Sequence, residues 1–421
     1  MIARQKRREN AGEKSGMEQR MKQRIFGVTA VFVLVSAFIL MGCGQGLGKR
    51  TYREIPKSAY PAANEEGSSE GTAHVVLNHG TLDHDASGEE ISEAEAGADG
   101  SQEDQTVSVV FAGDILFDES YAIMASMKQR GGRIEDGISE GLLKRLRAAD
   151  IFMVNNEFPY TDRGTPTAGK TFTFRARPEY ASYLLDMGAD LVSLANNHAY
   201  DYGEISLLDS LDTLEGIGIP YVGAGRNFEE ASEPVYMEAN GLTIAFVAAT
   251  RIERMASPDT KGATETSAGV FRCLEIGPLL ETVREAKEKS DFTIVFIHWG
   301  TEGTDALDHW QMEQAPQIAE AGADLIIGAH PHVLQPVGFL GDVPVVYSLG
   351  NFLFNSRTLD SCIVEAEIGK NGLERLQFLP AVQSNCRVSL AEGAEKERIL
   401  QYMREISPEA EFDADGVIQP K

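Results

Sequence analysis

From residue 106 onward, short apolar runs alternate with longer stretches of helical periodicity, and this alternation restricts the possible folds more than any other feature. Strands are predicted at 107–112, 151–155, 191–195 and 219–222, and helices at 119–129, 138–149, 178–187 and 204–215. Strands that alternate with helices in this way are typical of βαβ units. The sequence therefore predicts an α/β fold.

The second half of the chain adds a different pattern. Two predicted strands, 234–238 and 243–249, flank Asn240-Gly241, a dipeptide that favours a tight hairpin turn. A strand at 293–297, a helix at 309–321 and a strand at 325–328 follow, and then strands at 333–340, 343–348, 361–368 and 373–380. Because hairpins are added to parallel units, we expect mixed sheets. Residues 386–421 are predicted to form a short helix at 395–404 and a polar tail.

The N-terminus carries an export or anchoring pattern. Residues 1–24, predicted to be a basic cytoplasmic region or the n-region of a signal peptide, contain eight Lys or Arg and three Glu, whereas residues 25–48 contain no charged side chain. Leu40-Met41-Gly42-Cys43 resembles a bacterial lipobox, in which Cys43 is lipidated and becomes the mature N-terminus. The alternative is an uncleaved signal-anchor helix, since 24 residues at ~1.5 Å each nearly span a bilayer core of about 30 Å. Both interpretations place the rest of the chain at the membrane, on its extracytoplasmic face.

An acidic segment, 49–105, separates this region from the predicted domain at 106–385. Residues 62–105 hold twelve acidic residues and no Lys or Arg, which predicts a disordered, solvated spacer. His74, His79 and His84 lie in it, but no rigid geometry would hold them as a metal site.

Charge and cysteine content exclude two further classes of protein. The net charge of −26 argues against a nucleic-acid partner, because phosphate contacts require clustered Lys and Arg. Four cysteines in 421 residues are too few for a disulfide scaffold. Cys362 and Cys386 either pair outside the cell or remain buried thiols, like Cys273.

Polar side chains follow the predicted strands at the points where the apolar runs end. They are Asp114, Asn155 and Glu157, Asn197 and His198, His298, and His330 and His332. In open α/β sheets ligands bind outside the carboxyl ends of the strands, so residues distant in sequence meet there. Carboxylate, amide and imidazole donors suit one or two divalent ions such as Mn²⁺, Zn²⁺ or Fe²⁺.

Each of these residues has an ordinary alternative. Asp114 could cap a helix, Asn155 and Glu157 could be loop residues, and His298 could be a buried histidine with satisfied hydrogen bonds. Of the five histidines outside the spacer, four fall at predicted strand ends, and this coincidence favours a metal site. The fifth, His309, is predicted at the start of a helix on the surface.

Six motifs then establish a resemblance to a family. AGDILF, NNE, SLANNHAYDYG, HWGTE, GAHPHVLQP and YSLGNF, within about residues 107–355, resemble the capsule-biosynthesis CapA family of poly-γ-glutamate synthesis proteins. That family is similar to the calcineurin-like metallophosphoesterases. The resemblance implies a four-layer αββα sandwich with mixed sheets, and a membrane-tethered cell-surface protein of poly-γ-glutamate capsule synthesis or export.

The resemblance also implies roles for individual residues. The metal ligands would be Asp114, Asn197, His298, His330 and His332, with Glu157, and Asn155 beside it, in the position of a further acidic ligand. His198 would donate a proton or hydrogen bond to the reacting group. Asp201 would orient His198 or cap a helix, and Arg175 would clamp an anionic substrate or form a surface salt bridge. Asn351 would line the cleft or support a turn.

Two departures from the family patterns affect the metal site. Metallophosphoesterases usually begin with Asp-x-His, but Leu116 stands at the histidine position. The second metal is therefore expected to be weak, differently held or absent, unless Asp118, which more plausibly starts a helix, substitutes. Gly303 also stands where the family often has Tyr.

The predicted reaction is metal-assisted hydrolysis of a phosphoester or of an anionic polymer linkage. Two other functions fit the same residues: a non-catalytic polymer-binding accessory protein, and an amide hydrolase acting on poly-γ-glutamate. The expected partners are the membrane, the anionic polymer or phosphoester substrate, and other capsule-synthesis membrane proteins.

Overall fold

The structure, a computed structural model, describes residues 74–76, 106–252 and 261–421. The predicted signal or anchor segment, Cys43, and the spacer apart from 74–76 lie outside the described residues. Within the described part, no helix combines the length and the apolar character needed to cross a membrane.

The strands and helices are as follows, in chain order. The strands are β1 (His74–Val76), β2 (Val107–Ile115), β3 (Ile151–Asn156), β4 (Leu191–Ser193), β5 (Tyr221–Val222), β6 (Ala224–Gly225), β7 (Val235–Ala239), β8 (Leu242–Thr250), β9 (Gly269–Val270), β10 (Phe292–His298), β11 (Leu325–Ala329), β12 (Val337–Leu340), β13 (Val343–Val346), β14 (Asn351–Leu353), β15 (Leu359–Gly369), β16 (Gly372–Ser384), β17 (Arg387–Leu390), β18 (Ala410–Phe412) and β19 (Ile418–Pro420). The α-helices are α1 (Ala122–Arg130), α2 (Glu140–Leu146), α3 (Ser182–Met187), α4 (Glu204–Ile217), α5 (Phe228–Ser232), α6 (Gly277–Lys289), α7 (His309–Ala321) and α8 (Gly393–Ile406).

Two large mixed sheets form the body of the fold. The seven-stranded sheet has the order β1-β7-β8-β10-β11-β13-β12, and β8, β10, β11 and β13 run parallel. The eight-stranded sheet has the order β17-β16-β15-β2-β3-β4-β5, with β14 paired to β2. Its strands β2 to β5 are parallel, whereas β15, β16 and β17 are antiparallel. The predicted mixed sheets are confirmed.

Alternation along β2 shows how the layers are built, because successive side chains of a strand point to opposite faces. Val109 and Phe111 pack in the core between the two sheets, together with Phe246 of the other sheet. Val110 and Ala112 pack instead in a second core, beneath helices α1 to α4. With both faces covered, β2 is apolar almost throughout, as parallel strands of α/β proteins are.

The strand β10 repeats this division on the opposite side. Ile294 and Phe296 lie in the core between the sheets, whereas Val295 and Ile297 pack under helices α6 and α7. The order of layers is thus helices, sheet, sheet, helices. The predicted four-layer αββα sandwich is confirmed.

The hairpin prediction at Asn240-Gly241 is also confirmed. Both residues have positive φ, 49° and 77°, as the favoured two-residue turn requires. β7 and β8 pair antiparallel on either side of the turn.

Two differences between the structure and the sequence prediction after residue 330 concern the candidate site and the core. The strand predicted at 333–340 begins only at Val337, because the chain turns first to present two histidines. The C-terminal residues are not a polar tail: Leu400 and Met403 of α8, and Phe412 and Ile418 of the β18–β19 hairpin, fill the core between the sheets. Residues 386–421 therefore pack on the same core as the rest of the sandwich.

The three cysteines of the described residues are free and buried. The predicted alternative of a Cys362–Cys386 disulfide is therefore wrong. Cys362 lies in the core between the sheets, where burial raises the pKa of its thiol and keeps it neutral.

Candidate metal centre

The carboxyl ends of parallel strands from both sheets meet at one edge of the sandwich and bring two groups of metal-ligand atoms together. One group consists of Glu157, His298 and His330, and the other of Asp114, Glu157 and His332; within each group the donor atoms lie within 4.8 Å of one another. Glu157 belongs to both groups. The sequence prediction had named all five of these residues.

The spacing of donor atoms in the first group fits a single cation. The Nε2 atom of His298 lies 2.8 Å from Asn197 Oδ1, 3.1 Å from His330 Nδ1 and 3.5 Å from Glu157 Oε1. Donors that bind an ion at about 2.1 Å with tetrahedral or octahedral angles are themselves about 3.0–3.4 Å apart. Asn197 therefore completes a set of four possible ligands.

The second group is similar but has fewer donors. The Nδ1 atom of His332 lies 2.9 Å from Asp114 Oδ2, and its Nε2 atom lies 3.8 Å from Glu157 Oε1. Asp114 comes from the end of β2, Glu157 from just after β3, and His332 from the turn after β11.

Backbone geometry explains how this edge is built. His330 and His332 have φ of 100° and 58°, in the region that side chains other than glycine rarely adopt. Strain of this kind clusters at functional sites, where the surrounding structure holds it in place. Gly113 is needed for a different reason: a Cβ atom there would lie 1.9 Å from the Gly350 carbonyl oxygen. The missing side chain lets β2 approach the 348–351 turn and sets Asp114 beside it.

Two buried carboxylates, those of Asp114 and Glu157, lie close together and would be stabilised by a cation. Asp114 and Glu157 are both 0% exposed, and Glu157 Oε1 has no hydrogen-bond partner among the described residues. Burial raises the pKa of Glu157 well above its ordinary value, and the charge of Asp114 raises it further. Burial also acts to raise the pKa of Asp114, but the hydrogen bond and charge of His332 outweigh it and lower that pKa. Two adjacent buried carboxylates are costly without a cation, so the residues fit a divalent ion.

Metal binding requires neutral imidazole, and the surroundings of two of the three histidines favour that form. Burial lowers the pKa of His298 to about 3, and burial followed by the charge of His298 lowers the pKa of His330 well below its usual range. His332 differs. Burial opposes its protonation, but the contact with Asp114 outweighs burial and raises its pKa. A cation binding to the second group therefore competes with protonation of His332 up to a higher pH than it would with an ordinary histidine.

Asn155, predicted as a ligand, is turned so that its amide nitrogen faces the site. Its Nδ2 donates to Asp114 Oδ1 at 2.7 Å, and its Oδ1 accepts from Asn196 Nδ2 at 3.1 Å. In this geometry Asn155 orients the Asp114 carboxylate and offers no oxygen to a cation. Asn196, which holds Asn155 and also accepts from the His198 backbone N–H, was missed by the sequence analysis although it is adjacent to Asn197.

Asp201 holds His198, as one of the two sequence interpretations expected. The Asp201 Oδ2 atom lies 2.7 Å from His198 Nδ1 and accepts the Phe174 backbone N–H at 2.6 Å. Helix α4 begins at Glu204 with Gly203 at its N-cap, so Asp201 is not the helix cap. Lys170, which the sequence did not single out, is buried and contacts both Asp201 Oδ1 and the Asn197 carbonyl oxygen.

The surroundings of His198 are largely apolar. The Phe174 ring lies 4.2 Å from the His198 ring, centroid to centroid. Burial lowers the pKa of His198, and the charge of Asp201 offsets this only in part. His198 directly follows Asn197, whose Oδ1 lies 2.8 Å from His298 Nε2, so it lies beside the first ligand group.

Arg175 stacks on an aromatic ring. Its guanidinium lies 4.5 Å from the centroid of the Tyr202 ring, and none of the carboxylates in the part that the structure describes pairs with it.

Asp118, predicted as a possible substitute ligand, uses both carboxylate oxygens in other hydrogen bonds. They accept the backbone N–H groups of Ser120 and Arg175, at 2.7 and 2.9 Å. Asp118 is not a helix cap either, because Tyr121 occupies the N-cap of α1.

Two other predicted positions are accounted for. Leu116, at the histidine position of the metallophosphoesterase pattern, is 1% exposed in the apolar core under the helices. His309 is the first residue of α7 and its side chain is 74% exposed, which confirms that it is a surface residue.

Comparison with known proteins identifies related sequences. The family model of the bacterial capsule synthesis protein PGA_cap matches residues 108–356, a span that contains every residue of both ligand groups. The chain is 31% identical over 285 residues to the PGA biosynthesis protein CapA of Bacillus subtilis (strain 168), covering 66% of this chain and 72% of that protein. It is 27% identical over 316 residues to the capsule biosynthesis protein CapA of Bacillus anthracis, covering 72% of this chain and 74% of that protein. A solved structure, the 5'-nucleotidase from Candida albicans SC5314, matches with a TM-score of 0.33 and 10% identity, covering 63% of this chain and 52% of that one.

Proposed function

The chain belongs to the bacterial capsule synthesis protein family PGA_cap, and from this membership we propose that it serves poly-γ-glutamate capsule synthesis or export through a metal-dependent phosphoester hydrolase site. The observation that carries the proposal is the pair of ligand groups that share the buried Glu157. A structural role alone gives no reason to place two carboxylates and three imidazoles within a few ångströms of one another. An adjacent histidine held by a carboxylate, His198 with Asp201, adds a group that can transfer a proton.

The cofactor would be one or two divalent ions. The first would be held by Glu157, Asn197, His298 and His330, and the second by the group that includes Asp114 and His332. Such an ion supplies a Lewis acid for a phosphoryl oxygen and makes water a better nucleophile at neutral pH. Oxygen and nitrogen donors of this kind accept Mn²⁺, Zn²⁺ and Fe²⁺.

The chain's own residues would bind the substrate and move a proton. Asp201 accepts the hydrogen on His198 Nδ1, which leaves Nε2 as the nitrogen that exchanges a proton with the substrate. The negative charge of Asp201 opposes the effect of burial on the pKa of His198 and so increases the fraction of His198 that carries a proton for the leaving oxygen. Lys170 fixes Asp201 from the other side.

Arg175 is the candidate residue for substrate recognition. A guanidinium stacked on a ring keeps its N–H groups available in the plane, where they can form paired hydrogen bonds with a phosphate or carboxylate. The chain as a whole carries a net charge of −26. Arg175 and the metal ions together would therefore have to make the cleft locally positive for an anionic substrate.

The proposal is tested by measuring hydrolysis of p-nitrophenyl phosphate esters by the full chain with added Mn²⁺. We expect turnover that a chelator abolishes and Mn²⁺ restores. Turnover should fall as the pH is lowered below neutrality, because the raised pKa values of His332 and Glu157 let protons compete with the cation. A protein that binds Mn²⁺ yet hydrolyses no ester contradicts the phosphoesterase proposal.

A non-catalytic accessory protein that binds the capsule polymer is the second candidate. It is favoured by the presence of Leu116 at the position where metallophosphoesterases have a metal-binding histidine. Binding of poly-γ-glutamate that survives the chelator, with no ester turnover, would support this candidate. Metal-dependent cleavage of the polymer itself would point to the third possibility, an amide hydrolase.

We propose further that the chain is tethered to the extracytoplasmic face of the membrane. Support comes from the basic residues before position 25, the uncharged run at 25–48, and Cys43 after a small residue. In cells fed labelled fatty acid, the wild-type protein should carry the label and the Cys43→Ser variant should not. An unlabelled protein that remains membrane-bound would indicate the signal-anchor alternative, and recovery of the wild-type protein in the cytoplasm would contradict tethering.

A further inference from the structure

Asn351 is a buried amide that adjoins the second ligand group. It opens β14, pairs directly with Asp114 in the register of β14 with β2, and is 0% exposed. Its Oδ1 lies 2.9 Å from His332 Nδ1. Asn351 is therefore the strand neighbour of one candidate ligand and in contact with another.

The second ligand group has one protein donor fewer than the first. Asp114, Glu157 and His332 supply three, whereas the first group reaches four with Asn197. Leu116 offers no donor atom and lies in the apolar core. Divalent transition metals in proteins take at least four ligands, which can include water, so the second group has room for a further protein donor.

The contacts of His332 identify a candidate for a fourth donor. Its Nδ1 faces two oxygens at once, Asp114 Oδ2 and Asn351 Oδ1, each 2.9 Å away. One imidazole nitrogen carries a single hydrogen or a single lone pair, so it cannot serve both oxygens well. Separations near 3 Å are those expected between donor atoms around a shared ion, with bonds of about 2.1 Å.

The other atom of the amide strengthens this argument. The Nδ2 atom of Asn351 is buried and has no hydrogen-bond partner among the described residues. A buried amide placed only to support a turn would use its N–H donors, because leaving them unpaired is costly. Among the described contacts, Oδ1 alone fixes the amide.

We propose that Asn351 Oδ1 is the fourth protein ligand of the second cation, together with Asp114, Glu157 and His332. An amide oxygen thus takes over from the imidazole that Leu116 cannot supply. This inference rests on the proposed metal centre, and it makes that centre a two-ion site.

Metal titration of the full chain tests the assignment. Calorimetry with Mn²⁺ should give two ions per wild-type chain. Asn351→Ala should weaken the second ion at least about 10–100-fold, the range for losing an outer partner of a ligand, and leave the first unchanged. Asn351→Asp keeps an oxygen donor and should retain both ions. Asn355→Ala is the matched control, since Asn355 bonds to Gln383 and should leave both affinities unaltered.

A spectroscopic measurement separates a ligand from a residue that merely orients His332. Wild-type protein containing asparagine labelled with ¹³C in the side-chain amide should show, in electron–nuclear double resonance of bound Mn²⁺, coupling from two asparagines, Asn197 and Asn351. In Asn351→Asp, which keeps the second ion, one of the two couplings should disappear. Coupling from a single asparagine in the wild-type protein would overturn the assignment.

The titration can also overturn it. A wild-type chain that holds one Mn²⁺ and hydrolyses the ester disproves the role of Asn351 and leaves the proposed function standing. If Asn351→Ala binds two ions with unchanged affinities, the role of Asn351 is likewise disproved and the proposed function again stands. Coupling from Asn351 without ester turnover has the opposite meaning: the ligand assignment holds and the hydrolase proposal fails. Unchanged binding of the first ion shows that a variant is folded.

Discussion

Glu157→Gln is expected to remove both bound cations at once, because Glu157 is the residue that the two ligand groups share. We expect affinity for Mn²⁺ to fall at both sites by at least about 100-fold, the upper end of the range for losing an outer partner of a ligand. Ester turnover should fall to the level of the metal-free protein. Calorimetry and elemental analysis of the dialysed protein measure the loss.

The same substitution should not destabilise the metal-free protein, although it weakens metal binding. Glutamine has nearly the shape of glutamate but removes a buried carboxylate that lies beside Asp114. The free energy of unfolding without metal should therefore not decrease. With Mn²⁺ at 100 times its Kd, the wild-type protein gains about 2.7 kcal/mol for each bound ion, whereas a variant with 100-fold weaker binding gains at most about 0.4 kcal/mol for each. Thermal unfolding with and without Mn²⁺ distinguishes the two effects.

Glu313→Gln is the matched control, since the Glu313 side chain is 47% exposed and its ion-pair partner among the described residues is the surface residue His309. It should keep both ions and full turnover. Retention of both ions by Glu157→Gln would show that the shared carboxylate does not hold them.

His198→Ala is expected to lower turnover by about 10²–10⁴-fold, the usual contribution of a general acid or base, while the bound Mn²⁺ stays. The reason is that His198 lies next to Asn197 but donates its Nδ1 hydrogen bond to Asp201, and neither residue belongs to the two ligand groups. Steady-state kinetics and metal analysis of the same sample separate the two quantities.

Two further variants make this result interpretable. Asp201→Asn should lower turnover less, by about 10–100-fold, because the imidazole remains but loses the carboxylate that orients it. His309→Ala removes an exposed histidine and should change neither quantity. Loss of Mn²⁺ in parallel with turnover in His198→Ala would mean that His198 is itself part of the ligand set.

Periodicity and strand ends were enough to predict where the site would be. Asp114, His298 and His330 each follow an apolar run, and parallel strands that share an edge bring such residues together. Helix α7 also begins and ends at the predicted residues, because Asp308 and Gln311 form a capping box and Gly322 follows the last turn. These are local signals that tertiary structure does not override.

Features that depend on distant neighbours were not predictable. The orientation of the Asn155 amide is set by Asn196, forty-one residues away, and the positive φ of His330 and His332 is imposed by the surrounding turn. Helix α6 was missed because its buried positions, such as Leu279 and Val283, are few among charged residues. The apolar side chains of the C-terminal hairpin are too widely spaced to reveal that they enter the core.

The two ligand groups draw on both sheets: Asp114 and Glu157 follow strands of one, and His298 and His330 follow strands of the other. Neither half of the sandwich alone can assemble a complete cage. During folding, the cage can form only after the two sheets have docked, so a bound cation would not stabilise the early stages of folding. It would instead be expected to slow the unfolding of the native protein.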